Sequence, residues 1–250
     1  MLWVGTSWKM NGTIASAREY AATLRAADPA GWIGVQPFVL PPATCLQAFS
    51  EALVGAPGVL VGAQNAHWEN AGAWTGEVSI PQVADAGASL VEVGHSERRA
   101  HFGDTDEVVH AKVAAILRHG LRPVLCVGEP DGVFRAGGSA EFIVGQAESA
   151  LAGLDSGPVV LAYEPIWAIG VGGREPRRED LETAFDALAD RFADRVTAII
   201  YGGSVNRRNA AAVLAIPEVQ GLFVGRAALR AEGYLEILRI AGSAVLRSRR

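Results

Sequence analysis

Short apolar runs alternate with longer amphipathic segments along this whole chain, and this alternation limits the possible folds more than any other feature. Eight runs rich in Val, Ile, Leu and Ala are predicted strands: 2–7, 33–40, 59–63, 90–93, 123–127, 159–162, 198–201 and 221–224. They lack the polar alternation of half-exposed strands. We therefore predict a parallel sheet that is buried on both faces.

Segments with helical periodicity separate the predicted strands. The clearest span 15–27, 105–119, 180–192 and 234–246, and Asp104 is a candidate start signal for the second. Eight strand–helix units in about 250 residues match a single-domain α/β fold, the (β/α)8 barrel, over residues 1–250. A doubly wound open sheet is the alternative, but it more often carries a Gly-rich dinucleotide-binding turn after the first strand.

Composition narrows the classes of function. The 22 Lys and Arg residues against 27 Asp and Glu residues give a formal net charge of −5, which disfavours a broad nucleic-acid-binding surface. The two cysteines, Cys45 and Cys126, provide no disulfide framework, which fits a reducing compartment. Lys9 interrupts the apolar start before a signal-peptide core forms, and prolines divide the uncharged stretch 30–50. We expect a cytoplasmic protein without membrane or nucleic-acid partners.

In a barrel of this kind the active site lies at the C-terminal ends of the strands. The polar candidates that follow the predicted strands are Lys9, Gln64, Asn65, His67, His95, Ser96, Glu97, Glu129, Glu164, Ser204 and Arg226. The glycines around Ser204 and Gly225 follow the last two strands, where backbone N–H groups can bind a phosphate. Tight turns without a ligand are the alternative interpretation of these glycines.

Glu164 precedes Pro165 and a long apolar segment that ends in glycines near Gly173, which suggests a closing lid over a general base. A solvent-facing carboxylate is the alternative. His95 directly follows an apolar strand, where a histidine is often only structural. We expect Glu97 and Arg98 to form ion pairs and Cys126 to serve packing. No metal-binding, nucleotide-binding or serine-hydrolase motif is present.

Five motifs together resemble the triosephosphate isomerase family, whose fold is the TIM barrel. They occur in the family's order over nearly the whole chain: Trp8-Lys9-Met10-Asn11-Gly12, Gly94-His95-Ser96-Glu97-Arg98-Arg99, Cys126-Val127-Gly128-Glu129, Tyr163-Glu164-Pro165-Ile166-Trp167-Ala168-Ile169-Gly170 and Tyr201-Gly202-Gly203-Ser204-Val205. The family is itself a standard example of tuned pKa values in catalysis.

The resemblance implies an isomerase without metal or cofactor. Glu164 would move a proton between adjacent carbons, neutral His95 would polarise the carbonyl, and Lys9 would stabilise the enediolate. The N–H groups of Gly170, Ser204 and Gly225 would hold the phosphate of a small phosphorylated ketose. The resemblance also implies a homodimer, formed by the segment that begins at Gln64 and ends at Val78, with Thr75 near the partner's active site.

Three departures from the family pattern bear on the substrate. Ser7 stands where the family usually has Asn, Gly225 is followed by Arg226 rather than glycine, and the lid ends in Gly172-Gly173-Arg174. These departures resemble a paralogous branch that converts L-erythrulose 1-phosphate to D-erythrulose 4-phosphate. The shorter Ser7 would make room for the extra carbon and oxygen, and Arg226 would either contact the anion or face solvent.

Three other interpretations stay open from the sequence. The departures are also compatible with an ordinary triosephosphate isomerase, which converts dihydroxyacetone phosphate to D-glyceraldehyde 3-phosphate. A catalytically weak barrel that binds phosphometabolites is a second alternative, although Lys9, His95 and Glu164 argue against it. A Schiff-base enzyme is a third, but Lys9 and Lys112 are the only lysines, and Lys112 falls within a predicted helix.

Overall fold

Eight parallel strands form a closed barrel in the computed structural model, which describes residues 1–55, 58–154, 157–169 and 172–248. The strands follow chain order around the barrel: β1 (Leu2–Ser7), β2 (Val35–Leu40), β3 (Leu60–Ala63), β4 (Leu90–Val93), β5 (Arg122–Val127), β6 (Val160–Tyr163), β7 (Ala198–Tyr201) and β8 (Gly221–Val224). All eight predicted strands are present, and the predicted ends differ by at most two residues. The predicted (β/α)8 fold is therefore confirmed.

Ten α-helices lie in the described part of the chain and surround the barrel. They are α1 (Ile14–Ala26), α2 (Leu46–Ala52), α3 (Ile80–Asp85), α4 (Ser96–His101), α5 (Asp106–Arg118), α6 (Asp131–Arg135), α7 (Ser139–Ala150), α8 (Arg178–Phe192), α9 (Ala210–Val213) and α10 (Ala231–Ser248). None of these helices is both long enough and apolar enough to cross a membrane. Each strand is thus linked to the next by helix-containing chain, which is the connection that parallel strands require.

The predicted start signal for α5 is wrong by one residue. The hydroxyl of Thr105, not the carboxylate of Asp104, accepts the hydrogen bond from the backbone N–H of Val108 at 3.3 Å. Asp104 instead accepts hydrogen bonds from the side chains of Arg98 and Lys112 at 3.0 and 2.9 Å. These contacts bury the ammonium of Lys112, so this lysine serves the structure.

Alternate strand residues divide between two hydrophobic layers. The inner layer fills the barrel and consists of Trp3, Phe38, Leu40, Leu90, Val124, Cys126, Val160, Ala162, Ala198, Ile200 and Phe223. The space inside is limited: a Cβ atom on Gly5 would overlap the ring of Phe38. On β4, Leu90 belongs to the inner layer, whereas Val91 and Val93 pack outward in the layer beneath the helices. By this alternation Glu92 faces the barrel interior.

Candidate active site

Three side chains that the sequence predicts as catalytic meet at one end of the barrel. Glu164 directly follows β6, His95 follows β4 after one residue, and Lys9 follows β1 after one residue. Nε2 of His95 lies 3.3 Å from Oε2 of Glu164, and both side chains are buried. Together with Lys9 they line a cavity of about 50 Å³, which opens beside two larger pockets that share Lys9 and Ser7. We call these three side chains the barrel-end trio.

The ring of His95 caps the N-terminus of α4. Its Nδ1 accepts a hydrogen bond from the backbone N–H of Glu97 at 3.1 Å, which requires an unprotonated Nδ1 and leaves the ring proton on Nε2. Burial disfavours a charged ring, but the carboxylates of Glu164 and Glu92 outweigh it and raise the pKa of His95 to about 9. The raised pKa favours a charged ring, whereas the hydrogen bond from Glu97 requires a free lone pair on Nδ1. We assign the neutral ring, because the Glu97 contact is a direct geometric constraint and a helix N-terminus opposes a cation.

Lys9 adopts a backbone conformation that L-residues seldom occupy, with a φ of 53°. Its carbonyl accepts a hydrogen bond from Nε2 of Gln64 at 3.1 Å, and its ammonium donates to Oε1 of Glu97 at 2.7 Å. This ammonium is the main favourable partner that lowers the pKa of the Glu97 carboxyl, against the opposing effect of its partial burial. Gln64 and Glu97 therefore hold the lysine at the cavity at the expense of backbone strain. No pattern in the amino-acid sequence indicated this strain.

A buried carboxylate that the sequence analysis missed lies beside the trio. Glu92 is only 3% exposed, and its Oε2 accepts a hydrogen bond of 2.8 Å from the Ser7 hydroxyl. Burial raises the pKa of Glu92 to about 7, and the neighbouring carboxylate of Glu164 acts in the same direction. The strand pattern contained a signal for this residue, because Glu92 shares the inner face of β4 with Leu90 and is its only charged member.

Cys126 does more than the predicted packing. Its thiol is buried and donates to Oε1 of Glu164 at 3.4 Å, while the nearer oxygen of Glu92 lies 4.0 Å away. Among the described residues, these three side chains place potential metal ligands within 4.8 Å of one another. They suit a cation poorly, because burial raises the pKa of the Cys126 thiol well above its usual value and a metal would require the thiolate.

The glycine-rich turns after β7 and β8 line the second of the larger pockets. This pocket has a volume of about 360 Å³, and Ser204, Gly225 and Arg226 contribute to its wall together with Ser7 and Lys9. Ser204 and Gly225 therefore lie where the sequence predicts a phosphate site, and the exposed Arg226 stands at its rim. The predicted phosphate ligand Gly170 lies outside the described residues.

The described start of the predicted lid is anchored by hydrogen bonds at Trp167 and Ala168. The indole N–H of Trp167 donates to Oε1 of Glu129 at 2.8 Å, and the same oxygen accepts from the Tyr163 hydroxyl at 3.1 Å. The Ser204 hydroxyl donates to the carbonyl of Ala168 at 2.7 Å. These bonds couple the segment after Glu164 to the turn after β7, so the carboxylate of Glu164 is held between two fixed elements.

The segment from Gln64 to Val78 carries a cluster of aromatic side chains, of which Trp74 is exposed. The ring of His67 stacks on Trp68 with centroids 4.0 Å apart. The ring of Trp74 packs against both of these rings and remains 48% exposed. Met10 and Phe102, which are 98% and 67% exposed, lie beside this segment in a pocket of about 480 Å³. Lys9, Glu92 and His95 border the same pocket, so it reaches two members of the barrel-end trio.

The family model described as triosephosphate isomerase matches residues 2–241. This chain belongs to the triosephosphate isomerase family. A solved family member, the crystal structure of triosephosphate isomerase from Bartonella henselae, superposes with a TM-score of 0.84 at 30% sequence identity and covers 96% of this chain and 98% of its own. The predicted resemblance is confirmed over the whole barrel.

Several curated relatives within the family carry another name. A protein of Mycolicibacterium smegmatis named L-erythrulose-1-phosphate isomerase is 52% identical over 248 residues, which cover 97% of this chain and 94% of its own. A protein of Rhizobium meliloti with the same name is 46% identical and covers 98% of each chain. A third, from Brucella suis, is 45% identical over 94% of each. The predicted likeness to this branch of the triosephosphate isomerase family is thereby confirmed.

Proposed function

We propose that this chain interconverts L-erythrulose 1-phosphate and D-erythrulose 4-phosphate. The observation that carries the proposal is a single cavity in which a carboxylate, an imidazole and an ammonium group, from Glu164, His95 and Lys9, face one another beside Ser7. L-Erythrulose 1-phosphate is dihydroxyacetone phosphate with a hydroxymethyl group in place of one hydrogen on the reacting carbon. The names of the relatives, which are 44–52% identical over nearly the whole chain, support this substrate.

The reaction moves one proton and needs no other reactant. Glu164 removes the proton from C3, the C–H electron pair forms the double bond of an enediolate, and the C2 carbonyl pair moves onto oxygen. The Nε2–H of His95 and the ammonium of Lys9 stabilise this charge. His95 then carries a proton between the two oxygens, and Glu164 returns its proton to C2. The carbonyl group is thereby transferred from C2 to C3.

The phosphate occupies the pocket beneath the turns after β7 and β8. Backbone N–H groups of Gly170, Ser204 and Gly225 bind it, and the guanidinium of Arg226 at the rim adds positive charge. Closure of the segment after Glu164 excludes water, because an exposed enediolate eliminates its phosphate. The overall charge of −5 does not oppose this binding, since the interaction is local.

A second candidate is the isomerisation of dihydroxyacetone phosphate to D-glyceraldehyde 3-phosphate. The barrel-end trio, which is the same set that the triosephosphate isomerase family motif implies, favours this reaction equally. The solved relative from Bartonella henselae carries that name, but at 30% identity it is more distant than the relatives from Mycolicibacterium smegmatis and Rhizobium meliloti. Because the trio serves both reactions equally, the side chains around Ser7 must distinguish between the two substrates.

A parallel measurement of kcat/KM on L-erythrulose 1-phosphate and dihydroxyacetone phosphate tests the proposal. We expect the four-carbon substrate to be preferred by at least about 100-fold, since a buried polar site discriminates strongly against a missing hydroxyl group. Turnover of the triose alone, near the diffusional limit of about 10⁸ M⁻¹s⁻¹, would replace the proposal by the second candidate. Tight binding of a phosphorylated enediolate mimic without turnover of either substrate would instead indicate a binding protein.

We also propose that the enzyme is a cytoplasmic homodimer. The exposed side chains of Trp74, Met10 and Phe102, and the pocket that Met10 and Phe102 line, support an interface in this region. A monomer would leave this apolar surface in contact with water beside the active site. In the dimer, Thr75 of each chain lies near the active site of the other.

A further inference from the structure

Glu92 is a buried carboxylate that the proton transfer described above does not use. It lies on the inner face of β4, above the apolar inner layer that includes Leu90, and it lines the cavity of the trio. An ionisable group in such a position costs stability unless its polar atoms are bonded. Its presence beside the trio therefore calls for a role at the site.

The two carboxylate oxygens of Glu92 have unequal partners. Oε2 accepts the 2.8 Å hydrogen bond from the hydroxyl of Ser7, which lies 85 positions earlier on β1 and reaches it across the barrel. Oε1, among the described residues, has only the thiol of Cys126 at 4.0 Å, which is a weak donor at a long distance. One oxygen of Glu92 is thus available to accept a stronger hydrogen bond from a ligand.

The position of Glu92 along the cavity decides which part of a substrate it meets. Glu92 lines the small cavity of the trio and the pocket beside Met10, but the pocket beneath Ser204 and Gly225 is formed without it. A substrate whose phosphate lies in that pocket directs its other end toward Glu92. In L-erythrulose 1-phosphate this other end is the C4 hydroxymethyl group, which is attached to the carbon that loses its proton.

We propose that Ser7 and Glu92 form the specificity-determining pair of the site and bind the C4 hydroxyl group of the four-carbon substrate. This inference rests on the proposed function and deepens it. The C4 hydroxyl donates to Oε1 of Glu92, and Ser7, whose proton is committed to Oε2, presents its oxygen lone pairs toward the substrate. Dihydroxyacetone phosphate has no such hydroxyl and leaves Oε1 without a partner, so the pair selects against it.

The C4 hydroxyl can be removed from the substrate without any change to the protein. At pH 8, where the carboxyl of Glu92 is mostly ionised, we expect wild-type enzyme to turn over 4-deoxy-L-erythrulose 1-phosphate with a kcat/KM at least about 30-fold below that of the parent compound. This is the effect of one hydrogen bond to a charged group. Equal values for the two compounds would overturn the inference. This comparison does not depend on the folding of any variant.

Glu92→Leu and Glu92→Gln then link the effect to this residue. In Glu92→Leu the values of kcat/KM for the parent and the deoxy compound should differ by no more than about threefold, because the partner of the hydroxyl group is gone. In Glu92→Gln the ratio of these two values should be intermediate, because the amide oxygen can still accept a hydrogen bond. Activity on the deoxy compound shows that each variant is folded. A wild-type ratio in Glu92→Leu would overturn the inference, as would an equal loss on both compounds.

The same assay separates this inference from the proposed function. Failure of wild-type enzyme to turn over L-erythrulose 1-phosphate rejects the proposed function, and the specificity pair with it. Turnover of L-erythrulose 1-phosphate that depends on neither the C4 hydroxyl nor Glu92 leaves the proposed function intact and rejects the pair alone.

Discussion

Nε2 of His95 lies 3.3 Å from Oε2 of Glu164, although the two residues follow different strands of the barrel. Two further contacts fix this relationship, since the Glu97 N–H orients the imidazole and the Cys126 thiol contacts the other oxygen of Glu164. A substrate carbon and its oxygen fit between a base and a proton donor arranged in this way.

Removal of the base should abolish turnover and leave the fold intact. Glu164→Gln keeps the shape of the side chain but cannot accept a proton, and we expect kcat to fall by at least about 1,000-fold. Circular dichroism and the midpoint of thermal unfolding should stay close to those of the wild type. Glu148→Gln is a matched control, because Glu148 forms only an exposed ion pair with Arg191. Full activity of Glu164→Gln would refute the assignment of the base.

A methyl group on Gly202 should displace Glu164. A Cβ atom at this position would overlap Cγ of Glu164 and lie 2.9 Å from its Cδ. Because a misplacement of about 1 Å can cost about 100-fold in rate, we expect kcat/KM of Gly202→Ala to fall by that order. Gly145→Ala in α7, where a Cβ meets nothing within 4 Å, should retain wild-type activity. Equal activities would show that the turn after β7 does not position the carboxylate.

The strained backbone of Lys9 should be measurable as stability. Both Lys9→Gly and Lys9→Ala remove the ion pair with Glu97, but only glycine adopts a φ of 53° without strain. We expect Lys9→Gly to be more stable than Lys9→Ala by about 1 kcal/mol in urea unfolding, and both variants to be inactive. Equal stabilities would mean that the surrounding structure relaxes around the alanine.

The buried carboxyl of Glu92 should make stability depend on pH. Its pKa rises from 4.5 to about 7 on folding, so the folded state holds this proton more tightly. The resulting contribution to the free energy of unfolding is fully present below pH 4.5 and is lost as the pH rises through 7. The total loss is roughly 3 kcal/mol. The ionisable groups that lie near enough to influence this pKa are His95, Glu164 and Lys9.

Glu92→Gln removes this titration and provides the measurement. The difference in unfolding free energy between variant and wild type, determined at fixed protein concentration, should shift in favour of the variant between pH 5 and pH 8. A difference that stays constant over this range would contradict the raised pKa. A shift in the opposite direction would mean that Glu92 is held as a stabilised carboxylate.

Disruption of the exposed aromatic surface should separate the subunits. Trp74→Glu introduces a charge at a side chain that is 48% exposed and contacts His67 and Trp68. We expect a monomer in analytical ultracentrifugation and a loss of kcat of at least about tenfold, since Gly76 and Val78 of the same segment line the pocket that Lys9 and His95 border. Val54→Glu, at a side chain that is 75% exposed elsewhere, is the control and should leave the assembly unchanged. A monomeric wild type would refute the dimer.

The strands were predictable because a parallel barrel strand is buried on both faces and therefore reads as a continuous apolar run. The predicted bounds of β1, β4, β7 and β8 are those observed. The starts of helices were harder to predict, because neighbouring polar residues compete for one capping position. At the start of α5, Thr105 caps the helix because Asp104 is engaged in an ion pair with Lys112. The motif around each strand end was enough to nominate the barrel-end trio.

The sequence by itself determined the repeating strand–helix order and the chemical groups at the ends of the strands, since both depend on residues near one another in the chain. Only the tertiary structure decided which of those groups meet. Ser7 and Glu92 are hydrogen-bonded across the barrel although 85 positions separate them, and their contact exists because closure of the sheet directs the inner faces of β1 and β4 into one confined space. The strain at Lys9 has the same origin, because Gln64 and Glu97 come from other parts of the barrel to hold it.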